Sequence, residues 1–274
     1  MEQKLIFLDI DGTLTEPGHN TPPASAVEAV RLARSSGQRV VLCSGRNRGM
    51  LAPLLQYGFD GLAASAGGYI EYGGQVVYDC PMTVQQQELA MSVLEKAGVF
   101  RTIEGKEGSY TDEGFKDFLR ASTGDSSELL RWREQLEGEL GIRPMGEYRG
   151  EPIYKIVFMA KNEGDLRRPM EILGNAFDFC IQGTDQCGMV NGELINKAFN
   201  KGLAVQRLCA HLGMDVKNSI AYGDSMNDLE MLQAAGVGIC MGNGSQALKQ
   251  AADEVCPPVL EDGLYRSFLQ HGLI

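Results

Sequence analysis

Two carboxylates stand two positions apart in LIFLDIDGTLT, residues 5–15, where four apolar residues run straight into Asp9 and Asp11 follows. Residues i and i+2 of an extended segment point to the same side, so both acids can face one substrate. A carboxylate serves as covalent nucleophile in enzymes that pass through an aspartyl-phosphate. Phosphoryl transfer also needs a group that protonates the departing oxygen and later takes a proton from water. One aspartate can attack while its neighbour moves the proton. Gly12 frees the chain to turn away and lets backbone N–H groups approach phosphate oxygens.

Two further apolar runs end in residues suited to the same chemistry. VVLC ends in Ser44, with Gly45 and Arg46 next; SIAY ends in Gly223, Asp224 and Ser225, with Asn227 and Asp228 beyond. Ligands of an open α/β sheet bind beyond the carboxyl ends of its strands, and parallel strands would carry all three ends to one rim. Gathered there, Asp9, Asp11, Asp224 and Asp228 would repel each other and a phosphate dianion, so the cluster needs a cation. Oxygen ligands without His or Cys nearby point to Mg²⁺. His19, His211 and His271 are too scattered for a zinc site. A positive side chain must also meet the transferring group. Lys197 and Lys201 of INKAFNKGLAV are the candidates. Lys201, directly before Gly202 at the start of a helical pattern, is preferred, because a helix N-terminus already favours anions. Lys197 reads as an ordinary exposed lysine.

The elements that must position these residues alternate. KLIFL is a strand; TPPASAVEAVRLARSSG is a helix with Thr21 as its cap, Pro22 in its first position and Gly37 at its end. RVVLC is the next strand, an unbroken apolar run of the kind covered on both faces in parallel sheets. A helix near RGMLAPLLQYG and short strands around GLAAS, YIEY and QVVYD follow. The last third alternates again, from the helix GLAVQRLCAHLG through NSIAY, SMNDLEMLQAAG, GVGICM and SQALKQAAD to GLYRSFLQ. This alternation predicts a doubly wound, mostly parallel Rossmann-like α/β sheet. The middle is more charged, with the strand-like runs PIYKIVFMA and AFDFCIQ and a helical pattern between them. It reads as an inserted α+β cap domain over residues 84–188, between core segments 1–83 and 189–274. Short crossings beside the rim, with Gly188 and Gly192 as hinges, would let the insertion cover the site and choose the substrate. Lys106, Lys116, Arg120, Arg133 and Lys155 there suit a polar, hydroxyl-rich leaving group.

Composition narrows the classes. At 274 residues and 43% hydrophobic the chain can bury one large core plus a smaller one. A formal net charge of −11 argues against broad nucleic-acid or anionic-membrane binding. Seven cysteines without a C-x-x-C pair read as reduced thiols of a cytoplasmic protein. No stretch approaches the roughly 18 apolar residues of a membrane span, and the N-terminus opens as a strand rather than a signal peptide.

DIDGTLT, CSGRN, NKGLAV and GDSMND, in that order and spacing, resemble the four motifs of the haloacid dehalogenase superfamily. The insertion after the second motif, with GICMGNGSQALKQAADEV and EDGLYRSF near the end, is similar to the Cof-type phosphatases of subclass IIB. The resemblance implies Asp9 as nucleophile and Asp11 as general acid/base. It implies Ser44, Gly45, Lys201 and Asn227 at the phosphate. Mg²⁺ would lie on the Asp9 side chain, the Asp11 carbonyl and Asp224, with Asp228 behind. Two departures stand out. The usual N-G-A is Ala66-Gly67-Gly68 here, which lacks an amide that could contact substrate. The usual G-V-S-K-G is Ala198-Phe199-Asn200-Lys201-Gly202.

The implied function is a Mg²⁺-dependent phosphatase acting on small phosphorylated metabolites, sugar phosphates above all. Its partner is such a metabolite, with no nucleic acid and no membrane, and the chain acts as a monomer or small homo-oligomer. A phosphomutase would use the same intermediate but return the group to a sugar hydroxyl. A sugar-phosphate sensor would bind without turnover, but needs no nucleophile. Weaker signals have plainer readings. Ser44 alone could cap a helix, and Arg46 is balanced between a phosphate contact and a salt-bridged surface group. Asp228 reads as the partner of Lys201. GGYIEYGG is a turn-bearing segment, Met226, Met231 and Met241 read as core, and Trp132 as half-buried packing.

Overall fold

The computed structural model describes residues 3–115, 142–184 and 188–274. Trp132, Lys116, Arg120 and Arg133 lie outside them. The chain forms two units: residues 1–46, 51–79 and 199–274 make the first, residues 47–50 and 80–198 the second.

The first unit is built on an eight-stranded sheet. Its strands, numbered through the whole chain, are β1 (Leu5–Leu8), β2 (Arg39–Cys43), β3 (Gly61–Ala64), β4 (Tyr69–Tyr72) and β5 (Gln75–Asp79), then β12 (Ser219–Gly223), β13 (Val237–Cys240) and β14 (Glu254–Val255). Their order is β14-β13-β12-β1-β2-β3-β4-β5. From β14 to β3 every pairing is parallel; β3–β4 and β4–β5 are antiparallel. The alternation therefore yields the expected doubly wound α/β sheet. Sequential strands leave β1 on one side while β12 docks on the other, which makes the carboxyl ends of β1 and β12 the point where the order reverses. Ligand sites of such sheets form there. β1 is wholly buried, and Leu5, Phe7, Val41, Ala221, Val205, Leu208 and Met231 share one core.

Local readings need some correction. The first helix spans Ala24–Ser35, and Pro23, not Thr21, occupies its N-cap without a side-chain bond. Pro23 is free to do so because its carbonyl accepts from Ala26 N–H while no donor is required of it. Gly37 does end the helix, with φ +87°. Met231 and Met241 are buried, whereas Met226 is 46% exposed in the turn Met226–Asp228.

Among the described residues, the second unit has a six-stranded sheet in the order β10-β11-β9-β6-β7-β8. These are β6 (Phe100–Gly105), β7 (Ser109–Thr111), β8 (Ile142–Pro144), β9 (Ile153–Ala160), β10 (Phe177–Thr184) and β11 (Val190–Asn196). One face carries Ile103, Tyr110, Ile156, Phe158, Val190 and Leu194 into a core shared with Leu94 and Leu173. Much of the other face is polar. Lys155, 0% exposed, meets Glu193 at 2.5 Å and Glu104 at 3.3 Å, and Thr102 and Thr111 share a hydrogen bond of 2.8 Å. Lys155 is thus neutralised inside the sheet rather than presented as a free cation. The unit runs to Ala198, past the expected boundary at 188, because β11 pairs with both β9 and β10. Gly192 sits in that strand, where an added Cβ would strike Cys180 O, so it is a packing glycine and no hinge.

Candidate active site

The parallel register places the first chemistry. Leu8 pairs with Tyr222 across β1 and β12, and the Asp9 N–H still donates to the Tyr222 carbonyl at 3.0 Å. Asp9 and Asp224, each just past that pairing, therefore leave the sheet side by side. The chain then turns tightly, with the N–H groups of Thr13, Leu14 and Thr15 on the Ile10 carbonyl. Gly12 has φ +82°, and a Cβ there would collide with the Asp224 carboxylate. Only glycine admits both the turn and that close approach.

Lys201 arrives from the opposite end of the sequence. The helix Lys201–His211 begins there because the Asn200 side chain accepts from Leu203 N–H at 2.7 Å. Asn200 thus supplies the N-cap that a serine would, so the altered residue keeps the helix start. A Cβ on Gly202 would strike the Glu230 carbonyl, so the glycine lets this helix pack tightly enough to bring the lysine in. Its Nζ lies 2.7 Å from Asp9 Oδ1 and 2.6 Å from Asp228 Oδ1. Asp228 is fully buried, and its Oδ2 accepts the N–H groups of Asp224 and Ser225. Lys197, by contrast, belongs to the second unit and donates to the Gly174 carbonyl.

Ser44 is buried at the end of β2, where its Oγ accepts the Arg46 N–H at 3.2 Å. Gly45 is half-buried beside it. Asn227 is exposed, and its Oδ1 accepts from Ser225 Oγ rather than meeting Asp9 or Lys201. Arg46 is neither a surface group nor free. It is 1% exposed and grips Asp11 with Nε on Oδ2 at 2.9 Å and Nη2 on Oδ1 at 2.6 Å. Sequence reasoning also passed over Asn243, whose Nδ2 holds the Gly12 carbonyl at 2.7 Å while its Oδ1 takes Val259 N–H. Only its place within GICMGNGSQALKQAADEV pointed that way.

The electrostatics divide the site. Lys201 serves Asp9 and Asp228, Arg46 serves Asp11, and Asp224 stands apart. Burial, then repulsion from Asp228, raises the Asp9 carboxyl despite the pull of Lys201. Burial, then the charges of Asp9 and Asp228, pushes Asp224 up to about 9. Burial opposes the Lys201 charge, yet attraction to Asp228 and Asp9 outweighs it and holds the lysine well above its ordinary value. The Cys43 thiol nearby is pushed up to about 12 by burial and offers no competing thiolate.

The residues fit a divalent cation. Carboxylate oxygens of Asp9, Asp224 and Asp228 lie within 4.8 Å of one another. Asp224 Oδ1 is buried without a hydrogen-bond partner among the described residues. Four carboxylates against Lys201 and Arg46 leave a formal charge of about −2 in this group, an excess that a hard dication would offset.

The chain is similar to known proteins in sequence and fold. A family model for haloacid dehalogenase-like hydrolases matches residues 6–268. The chain is 26% identical over 276 residues to "Putative phosphatase YkrA" of Bacillus subtilis (strain 168), with 100% of both chains covered. It is 26% identical over 256 residues to the HMP-PP phosphatase of Yersinia pestis (strain Pestoides F), covering 90% of this chain and 86% of that protein. Its fold is shared with the solved structure of the subclass IIB sugar phosphatase BT4131, at a TM-score of 0.78 and 22% identity over 99% of this chain and 100% of that one. No helix among the described residues is long and apolar enough to cross a membrane. With the match running almost end to end, the chain belongs to the haloacid dehalogenase-like hydrolase family.

Proposed function

We propose that the protein is a Mg²⁺-dependent phosphatase that hydrolyses small phosphorylated metabolites through an aspartyl-phosphate on Asp9. One observation carries the reading: Asp9 Oδ1 is held at 2.7 Å by a buried lysine, beside carboxylates that would suit a dication. The family membership and the phosphatase names of its relatives support the reaction class. Asp9 attacks phosphorus, Asp11 protonates the departing oxygen, and the same Asp11 then takes the proton of the water that attacks the aspartyl-phosphate. Lys201 steadies the negative charge of the transferring group and fixes the Asp9 rotamer. Ser44 and Gly45 offer the end of β2 to phosphate oxygens. Mg²⁺, held by Asp9, Asp224 and the Asp11 carbonyl, would neutralise the excess charge and polarise the phosphoryl oxygens.

The second unit is the source of substrate choice in this reading, with sugar phosphates as the preferred class. The support is the unit's place in the chain: it is inserted between the core segment that carries Ser44 and the one that carries Lys201. The test is phosphate release from sugar phosphates, nucleotides and cofactor phosphates, with Mg²⁺ and with excess chelator. Metal-dependent release, greatest with sugar phosphates, is expected. Turnover undiminished by the chelator, or none on any ester, would overturn the proposal.

A further inference from the structure

We propose that Arg46 is the positioning residue of Asp11, acting on the proton step through that carboxylate and not on the phosphate. The inference rests on the phosphatase reading above. Asp11 Oδ2 accepts Arg46 Nε, and Asp11 Oδ1 accepts both Arg46 Nη2 and the Gly18 N–H, the last at 3.1 Å. Two parallel bonds from one planar guanidinium fix a carboxylate in distance and in rotation, which an ammonium cannot do.

Arg46 is itself immobilised. Its Nη1 donates to Asn20 Oδ1 at 2.5 Å and its Nη2 reaches the His19 carbonyl at 3.4 Å. Its backbone is held too, with the N–H on Ser44 Oγ and the carbonyl accepting Ser65 N–H at 2.8 Å. The guanidinium is thus a fixed anchor, and Asp11 is the more exposed partner, with 19% of its side chain accessible against 1% for Arg46.

The pose has a chemical consequence. As the P–O bond breaks, the departing oxygen keeps the electron pair and needs a proton from Asp11. With both oxygens engaged by donors, Asp11 has none to present. One bond of the fork must therefore open, and the oxygen it releases must take up a proton, before Asp11 can act as the acid. That proton passes to the departing oxygen, and the water that attacks the aspartyl-phosphate returns one to Asp11, while the remaining bond keeps the carboxyl group aimed. Arg46 makes the acid available in one orientation, and its removal would leave the Gly18 N–H on Asp11 Oδ1 without the fork that fixes the rotation of the carboxylate.

The experiment compares the full chain with Arg46→Gln, Arg46→Lys, Asp11→Asn and the double variant Arg46→Gln/Asp11→Asn, at saturating Mg²⁺. The substrates are p-nitrophenyl phosphate, which leaves without help, and an alkyl phosphate, which needs the proton. Arg46→Gln should lower kcat on the alkyl ester about 10²-fold, within the range of a lost proton transfer, and cost far less on the aryl ester. In the Asp11→Asn background the same change should do almost nothing, since its route is gone. Arg46→Lys should fall between, keeping charge without the fork. If Arg46→Gln does not fold by circular dichroism, Arg46→Lys made in both backgrounds decides by the same comparison. Equal losses on both esters, or a loss that multiplies in full onto Asp11→Asn, would overturn the proposal. Inactivity of the unaltered protein on both esters would instead overturn the phosphatase reading.

Discussion

Lys201 Nζ lies 2.7 Å from Asp9 Oδ1 across 192 positions of sequence, and both side chains are buried. Removing the lysine leaves Asp9 and Asp228 facing each other without their shared counter-ion. Lys201→Ala should therefore lower kcat by about 10²–10³-fold, the scale of losing a donor aimed at developing charge. It should also lower the thermal midpoint, because a buried ion pair missing one partner is costly. Lys197→Ala should stay near wild type, since Lys197 sits half-exposed on the Gly174 carbonyl and beside Asp178 in the second unit. Steady-state kinetics and melting of both variants check this, and a larger loss for Lys197 would contradict it.

Crowded carboxylates make metal-free stability depend on pH. Asp224 moves from 3.8 up to about 9, by burial first and then by Asp9 and Asp228, and Asp9 is raised as well. The unfolded chain ionises both near their ordinary value. From about pH 4 to about pH 9 the folded metal-free protein thus binds more protons than the unfolded one, and stability falls as pH rises. Melting in excess chelator should show that fall. Added Mg²⁺ requires the ionised forms and displaces the protons, so the metal-induced rise in melting temperature should grow over the same interval. A metal effect that shrinks toward alkaline pH would contradict the assignment.

Ala66 carries backbone strain. It sits at φ 57°, ψ 29°, between Ser65 at φ 50° and Gly67 at φ +94°, and its N–H donates to the Ser44 carbonyl at 2.9 Å. A left-handed non-glycine residue costs about 1–2 kcal/mol, and asparagine is among the few that adopt it readily. That explains why asparagine in the usual N-G-A suits this position whatever its amide contacts. Ala66→Gly should stabilise the fold by about 0.5–1 kcal/mol, the relief of strain exceeding the entropy added to the unfolded chain. Chemical denaturation measures it; a loss of stability would mean the strain is not there.

The sequence revealed the sheet and its rim because β1, β2 and β12 are unbroken apolar runs that end in Asp9, Ser44 and Gly223. Continuous burial leaves that signature and needs no partner to be read. The second unit was less legible for the opposite reason. β6 carries the charged Arg101 and Glu104, and Arg101 is neutralised by Asp112 and Glu104 by Lys155, across strands the sequence could not pair beforehand. β11 was hidden in the same way, with Gly192 and the buried Glu193 breaking its apolar pattern. Arg46 was ambiguous because its partner lies 35 positions away, in a loop whose path is set by the turn at Gly12. Asn227 was placed at the phosphate by its motif; its Oδ1 accepts from Ser225 Oγ in a local turn.

The claim that Asp9 becomes covalently phosphorylated is tested most directly by acid-quenching a single turnover and mapping the phosphoryl group by peptide mass spectrometry. Asp11→Asn is the protein to use beside the unaltered chain, since loss of the residue that activates water should let the intermediate accumulate. With p-nitrophenyl phosphate and Mg²⁺, the account predicts a phosphoryl adduct on Asp9 that builds up in Asp11→Asn and is absent from Asp9→Asn. Phosphate released at the wild-type rate by Asp9→Asn, or an adduct on any other residue, would contradict it.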